Sequence, residues 1–151
     1  MASAVNTGES RVQVTAWNAK GLNSAIKRNR VLTHLKKLKA DIVFLQETHL
    51  RNQDHGRLHK GWVGQVYHSS FQFKSRGAAI LIGKTTPFVC SHSLSDKQGR
   101  FVVVEGKLYN VPLVLVCTYA PNIDDAQFFS SLWSSIPNLN SHHLIMGGDF
   151  N

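Results

Sequence analysis

The sequence predicts an α/β chain with much antiparallel sheet, arranged as two packed mixed β-sheets with helices outside. Three observations lead there. "DIVFLQE" and "PLVLVCTY" are short, nearly continuous apolar runs, the pattern of strands buried on both faces. Two longer stretches repeat their apolar residues at helical spacing. Between them lies a string of short strand-like segments divided by turn-rich pieces such as "DKQG" and "LYNV".

Taken in order, "MASAVNTGES" carries no clear pattern, and residues 1–10 are expected to be a flexible N-terminus ahead of a domain over 11–151. "RVQVTAW" alternates, with Val12, Val14 and Ala16 on one face, which reads as a half-buried strand. "AIKRNRVLTHLKKLKA" sets Val31, Leu35 and Leu38 on one helical stripe with Leu32 beside them, and Lys27, Arg28, Arg30, Lys36, Lys37 and Lys39 elsewhere. "DIVFLQE" follows as a strand. "GQVYHS", "GAAILIG", "PFVCSH" and "RFVVVEGKLY" supply the middle strands, and "PLVLVCTY" another buried one. "DDAQFFSSLWSSI" is a helix capped by Asp124 or Asp125, with Phe128, Phe129, Leu132, Trp133 and Ile136 on its inner side. Pro137 follows its end, and "HLIMG" is the last strand.

A chain of 151 residues has room for one cored domain, and 42% hydrophobic with 17% charged residues places it among globular sequences. No apolar run approaches a membrane span. The N-terminus has neither a basic segment nor an apolar stretch of the secretory kind, so an intracellular protein is expected, nuclear if it acts on chromosomal DNA. Cys90 and Cys117 lack metal or redox spacing and read as reduced core residues. Residues 1–60 carry a net +7 of the chain's formal +8. Basicity this lopsided points to a polyanion met by the N-terminal part, against a solvated basic face as the plain alternative.

Four apolar runs end in a polar or ionisable side chain: Asn18, Glu47, Tyr119, and the group Asp149-Phe150-Asn151. Ligands of open α/β sheets collect at such strand ends. Asn18 reads equally as the start of the turn "NAKG", and Tyr119 as a core aromatic. Glu47 and Asp149 are harder to explain structurally, because an acid closing a buried strand loses hydration unless a cation or donor meets it. Two carboxylates with amides fit an oxygen-liganded hard cation such as Mg²⁺, with Mn²⁺ as the alternative. Beside a basic chain, that chemistry is phosphodiester hydrolysis. His55 and His59 are four apart, but Gly56 interrupts them and no zinc motif surrounds them. Together with the adjacent His142 and His143 they read as surface or loop histidines. His49 stands close enough to Glu47 in sequence to approach the same rim.

At these residues the chain resembles the endonuclease/exonuclease/phosphatase superfamily, with its DNase I-like four-layer sandwich. Within it, the chain is similar to the apurinic-type endonuclease domain of LINE-type retrotransposons. "WNAKGLNSAIKRNRVLTHL", "DIVFLQETHL", "GAAILI" with "DKQGRFVVVEG", "TYAPN" and "LIMGGDFN" carry the likeness in the family's order, over nearly the whole chain. The resemblance implies that Glu47, with Asn18, holds Mg²⁺. It implies that Asp149, supported by Asn151, orients or deprotonates the attacking water, and that Tyr119 bonds the scissile phosphate. Asn122 would lie along the DNA, with Lys20, Arg28 and Arg76 as further DNA contacts. The nick would leave a 3′-hydroxyl.

The resemblance also implies a further segment ending in a Ser-Asp-His-type motif, which this sequence does not contain, and a reverse transcriptase region, also absent here. The expectation is thus the first two-thirds of the domain, incomplete at its C-terminus, weakly active or inactive, and monomeric. Two alternatives stand beside the endonuclease: a non-catalytic remnant that still binds nucleic acid, and a phosphatase of the same fold.

Overall fold

The structure is a computed structural model and describes residues 2–7 and 10–150. Strand β1 is Ala2–Thr7, β2 Ser10–Asn18, β3 Ile42–Gln46, β4 Val63–Ser69 and β5 Ala78–Gly83. They form one sheet in the order β1-β2-β3-β5-β4. Strands β6 Phe88–Ser95, β7 Phe101–Leu108, β8 Val111–Tyr119 and β9 His143–Asp149 form the second, in chain order. Helix α1 spans Ala25–Lys37, α2 spans Ala126–Ser135, and a 3-10 helix covers Asn52–Leu58.

The layering follows from alternation along each strand. Val14, Ile42, Phe44, Ile80 and Ile82 of the first sheet meet Val102, Val104, Leu113, Leu115 and Cys117 of the second in a shared core. The opposite face of the first sheet, with Val43, Leu45, Ala79 and Leu81, is covered by Val31, Leu32 and Leu35 of α1. The opposite face of the second, with Phe101, Val103, Val114 and Val116, is covered by Phe128 and Leu132 of α2. Two mixed sheets between helices are the architecture the sequence predicts.

Each sheet contains one parallel pair, β2 with β3 and β8 with β9, and each pair is joined across a helix. Parallel pairing has a direct consequence for function. The C-terminal ends of both strands in a pair emerge at the same edge, so Asn18 lies next to Gln46 and Glu47, while Tyr119 lies opposite Asp149.

Several local expectations are revised. Residues 2–7, inside the segment read as a flexible N-terminus, form β1 along the antiparallel edge of β2, a pairing that needs only a free backbone ladder. Leu38 is the C-cap of α1 rather than part of its buried stripe and is 40% exposed. Trp133 points outward from α2 at 57% exposure, because ten residues of helix present only Phe128 and Leu132 fully to the sheet. Asp125, not Asp124, caps α2, accepting from Phe128 N at 3.0 Å. Cys117 is buried and free as expected, and Cys90 is free but only half-buried. No helix among the described residues is long and apolar enough to cross a membrane.

Candidate active site

The two parallel pairs belong to different sheets, and close contacts between the sheets bring their ends together. Cys117 Sγ donates to the Leu45 carbonyl at 3.3 Å, and Gln46 Nε2 reaches Cys117 Sγ at 3.6 Å. The two glycines before Asp149 serve the same approach. A Cβ on Gly147 would come within 2.5 Å of Phe44 Cδ2, and one on Gly148, whose φ is +144°, would overlap the Thr118 carbonyl. Any larger residue would push β9 away from β3 and β8.

At the rim so formed, Asn18 Nδ2 donates to Glu47 Oε1 at 2.9 Å, while Asn18 Oδ1 accepts from Lys20 N at 3.1 Å. His49 Nε2 stands 3.5 Å from Glu47 Oε2. The Tyr119 phenol faces the Glu47 carboxylate, and each influences the ionisation of the other, with Asp149, opposite Tyr119 on β9, contributing. The Asn18 hydrogen bond, ahead of those from Tyr119 and His49 and against the opposing effect of burial, holds the Glu47 carboxyl below its ordinary value. Glu47 is therefore an anion at neutral pH. The Tyr119 phenol is raised, first by burial and then by Glu47, with Asp149 adding and Arg100 opposing, so it stays protonated.

The backbone here is held in left-handed conformations unusual for residues with side chains: φ is 49° at Lys20, 51° at Glu47, 56° at His49 and 57° at Arg76. Each costs about 1–3 kcal/mol and persists only where the surroundings over-determine it. They do so through main-chain bonds that tie three loops together. Gly21 N donates to Glu47 O at 2.7 Å, Leu22 N to Thr48 O at 2.8 Å and His49 N to Arg76 O at 2.7 Å.

A profile of the Endonuclease/Exonuclease/phosphatase family matches residues 15–151. The chain belongs to that family. It is 27% identical over 145 residues to the Transposon TX1 uncharacterized 149 kDa protein of Xenopus laevis, covering 93% of this chain and 11% of that protein. Among solved structures, the Xenopus laevis APE2 catalytic domain superposes with a TM-score of 0.71 at 18% identity, covering 91% of this chain and 58% of that one. D. rerio TDP2 complexed with single strand DNA product gives 0.69 at 19%, over 93% of this chain and 61% of that one. The endonuclease domain of TRAS1, a telomere-specific non-LTR retrotransposon, gives 0.63 at 17%, over 91% and 58%. The chain thus spans about a tenth of its transposon relative and under two-thirds of these structures.

Within this family member, Asn18, Glu47, Tyr119 and Asp149 all stand at the one rim. Asn151 lies outside the described residues. Lys20 is exposed beside Asn18. Arg28 is turned into its own loop, donating to the Leu22 and Asn23 carbonyls at 3.0 Å each. Asn122 and Arg76 both line a cleft of about 620 Å³ next to the rim. Among the described residues, no group of three or more His, Cys, Asp or Glu is placed to hold a metal ion.

Arg100 at the rim and Thr48 behind it are residues the sequence reading passed over, and His55 is one it misplaced. Arg100 donates to the Tyr119 and Ala120 carbonyls at 3.4 Å each, and its guanidinium lies 5.1 Å from the centre of the Tyr119 ring. Thr48 and His55 are fully buried behind Glu47 and bonded to each other at 2.9 Å. The reading of His55 as a surface or loop histidine is therefore corrected. It sits in the 3-10 helix that carries it inward, a turn that Gly56 and the polar residues around it concealed. His59 does remain exposed.

Proposed function

We propose that this chain acts in Mg²⁺-dependent hydrolysis of DNA phosphodiesters, as endonuclease sequence of a LINE-type retrotransposon whose nick leaves a 3′-hydroxyl. The observation that carries the proposal is the meeting of two strand-pair ends: Asn18 donates to Glu47 at 2.9 Å at the end of β2 and β3, Tyr119 lies opposite Asp149 at the end of β8 and β9, and Cys117 holds the two pairs together through the Leu45 carbonyl. Two acids and a phenol converge on one rim.

The donor set fits the metal. Mg²⁺ usually takes one or two protein carboxylates and fills its remaining positions with water and phosphate oxygens, so a larger His, Cys or acidic cluster is not required. Glu47 is ionised, and its side chain keeps 23% exposure toward the rim. Glu47 would hold the ion, and Asp149 ends β9 opposite Tyr119. When bound, Mg²⁺ supplies charge that polarises the phosphoryl oxygens.

The chain's own residues do the rest. Asn18 fixes the Glu47 carboxylate through its amide rather than offering its carbonyl, which is engaged by Lys20 N. Asp149, an acceptor at the strand end, orients the attacking water and takes its proton. Tyr119 presents its phenol to a phosphate oxygen, and Arg100 holds the ring and its carbonyl in place. Lys20, Asn122 and Arg76 contact the DNA backbone around the rim, and Arg28 supports the loop that carries Lys20.

Supercoiled plasmid incubated with the chain and Mg²⁺ tests the proposal. The expected result is weak relaxation that disappears with EDTA and with Glu47→Ala. Nicking that survives both would refute it. A non-catalytic DNA-binding role is the second reading, favoured by the exposed basic face of α1 with Lys27, Arg30, Lys36 and Lys37. It predicts salt-sensitive binding to the plasmid without relaxation under any metal.

A further inference from the structure

Thr48 is the one fully buried residue of the Glu47-Thr48-His49 turn, flanked on both sides by left-handed residues. Its hydroxyl lies 2.9 Å from His55 Nε2. His55, itself fully buried, places Nδ1 3.1 Å from the Arg51 carbonyl and 2.9 Å from Ser70 Oγ. Ser70 Oγ in turn lies 2.9 Å from His68 Nδ1, and the two imidazoles stack at 4.3 Å with 3° between their planes. Gly77 closes the other side of Thr48. A Cβ there would overlap Thr48 Oγ1, and φ is +99°.

The proton positions in this chain follow from one partner. A carbonyl oxygen only accepts, so the 3.1 Å approach of His55 Nδ1 to the Arg51 carbonyl, which also takes Asp54 N and His55 N, is favourable with the hydrogen on Nδ1 and repulsive with a lone pair there. Burial, with repulsion from His68, pushes His55 down to about 3, so the ring is neutral and Nε2 keeps a bare lone pair. Thr48 Oγ therefore donates to Nε2, and Ser70 Oγ donates to His68 Nδ1. Every bond runs in one direction and each buried group is satisfied. An apolar residue at position 55 would fill the space at less cost in desolvation, but it would leave the Thr48 hydroxyl free to rotate.

We propose that His55, as the neutral tautomer with its proton on Nδ1, is a positioning residue that fixes the Glu47 turn through Thr48. The proposal rests on Glu47 being the metal-holding carboxylate. Glu47 leaves β3 in a strained conformation, and its direction depends on the residue after it being held from the inside.

The test uses the full chain and Mn²⁺ alone, with free ion counted by electron paramagnetic resonance. Thr48→Val, which keeps the shape and removes the hydroxyl, is expected to weaken Mn²⁺ binding roughly 10- to 100-fold. Thr48→Ser, which keeps the hydroxyl, should restore it. A long-range proton–nitrogen spectrum of histidine-labelled wild type should show His55 protonated at Nδ1 and bare at Nε2, and the Nε2 resonance should move in Thr48→Val. If Glu47→Ala abolishes Mn²⁺ binding while Thr48→Val leaves it intact, the positioning role is wrong and the metal reading stands. If Glu47→Ala leaves Mn²⁺ binding unchanged, both fall. A His55 proton found on Nε2 overturns the positioning role whatever the metal does, and that spectrum decides alone should Thr48→Val lose its native near-ultraviolet circular dichroism.

Discussion

Glu47 and Asp149 each follow an apolar run that pairs in parallel with the strand before it, yet the two strands live in different surroundings. β3 lies between β2 and β5, and every residue from Ile42 to Gln46 is buried. β9 stands at the end of its sheet, pairs only with β8 among the described residues, and has no fully buried residue. Position in the sheet, not composition of the strand, sets this difference. One acid is anchored by two neighbouring strands, by three loops and by a buried polar chain. The other is located by one ladder and by the fit of Gly147 against Phe44. The first half of the rim is therefore rigid by construction and the second is the softer element.

Truncating the core on each strand gives the largest test of that contrast. Phe44 is 1% exposed and meets the second sheet, so Phe44→Ala should cost about 3–5 kcal/mol in urea unfolding. Met146, half-buried on β9, should cost only about 1 kcal/mol as Met146→Ala. Equal losses would mean that β9 is as firmly packed as β3, and the contrast would be gone.

Acid should separate the halves next. His55 stays neutral in the folded chain down to about 3, whereas an unfolded histidine takes up its proton near 6.5. Between these values the unfolded state binds more protons, so stability falls as pH falls through that window, by about 2 kcal/mol from neutrality to pH 5. His68, also lowered by burial, acts in the same direction. Urea midpoints at pH 7.5 and 5.0 measure the loss, and His55→Gln should flatten it. His55 braces the Glu47 turn through Thr48, so amide protection factors at pH 5 should fall around that turn before they fall in β9.

What the sequence made readable, and what it hid, divides along the same line. The order of strands and helices, the helical stripe of Val31 and Leu35, and the acid closing "DIVFLQE" are local signals, carried by periodicity and by the desolvation of a single residue. Trp133 and Leu38 obeyed helical periodicity but not the sheet beneath them, because the width of a buried stripe is set by the partner surface and not by the helix. β1 gave no signal because its place depends on the edge that β2 offers. His55 and Arg100 were hidden for the same reason. A histidine in "QDHGRLHK" looks solvated until the 3-10 helix turns it toward Thr48, and Arg100 looks like a turn residue until β7 and β8 pair and bring it over Tyr119.

The smallest expected effect asks whether the two halves loosen independently. Each parallel pair is closed by a capped helix, and the caps differ in strength. Ser24 Oγ accepts from Lys27 N at a long 3.4 Å, whereas the Asp125 carboxylate accepts from Phe128 N at 3.0 Å and places a negative charge at the positive end of α2. Asp125→Ala should cost about 1 kcal/mol, a roughly fivefold change in a local opening equilibrium, and Ser24→Ala less. Phe128 is the first residue lost when that cap fails, and it packs on Phe101 and on the face of β8 and β9 that α2 covers. The opening should therefore appear as faster amide exchange in α2 and β9, with Ile42 to Gln46 unmoved, because nothing in α2 touches the α1 side of the first sheet. Exchange that rises equally in β3 would mean that the shared core couples the sheets into one cooperative unit, and Glu47 would then owe its fixed position to the whole fold and not to the braces around its own turn.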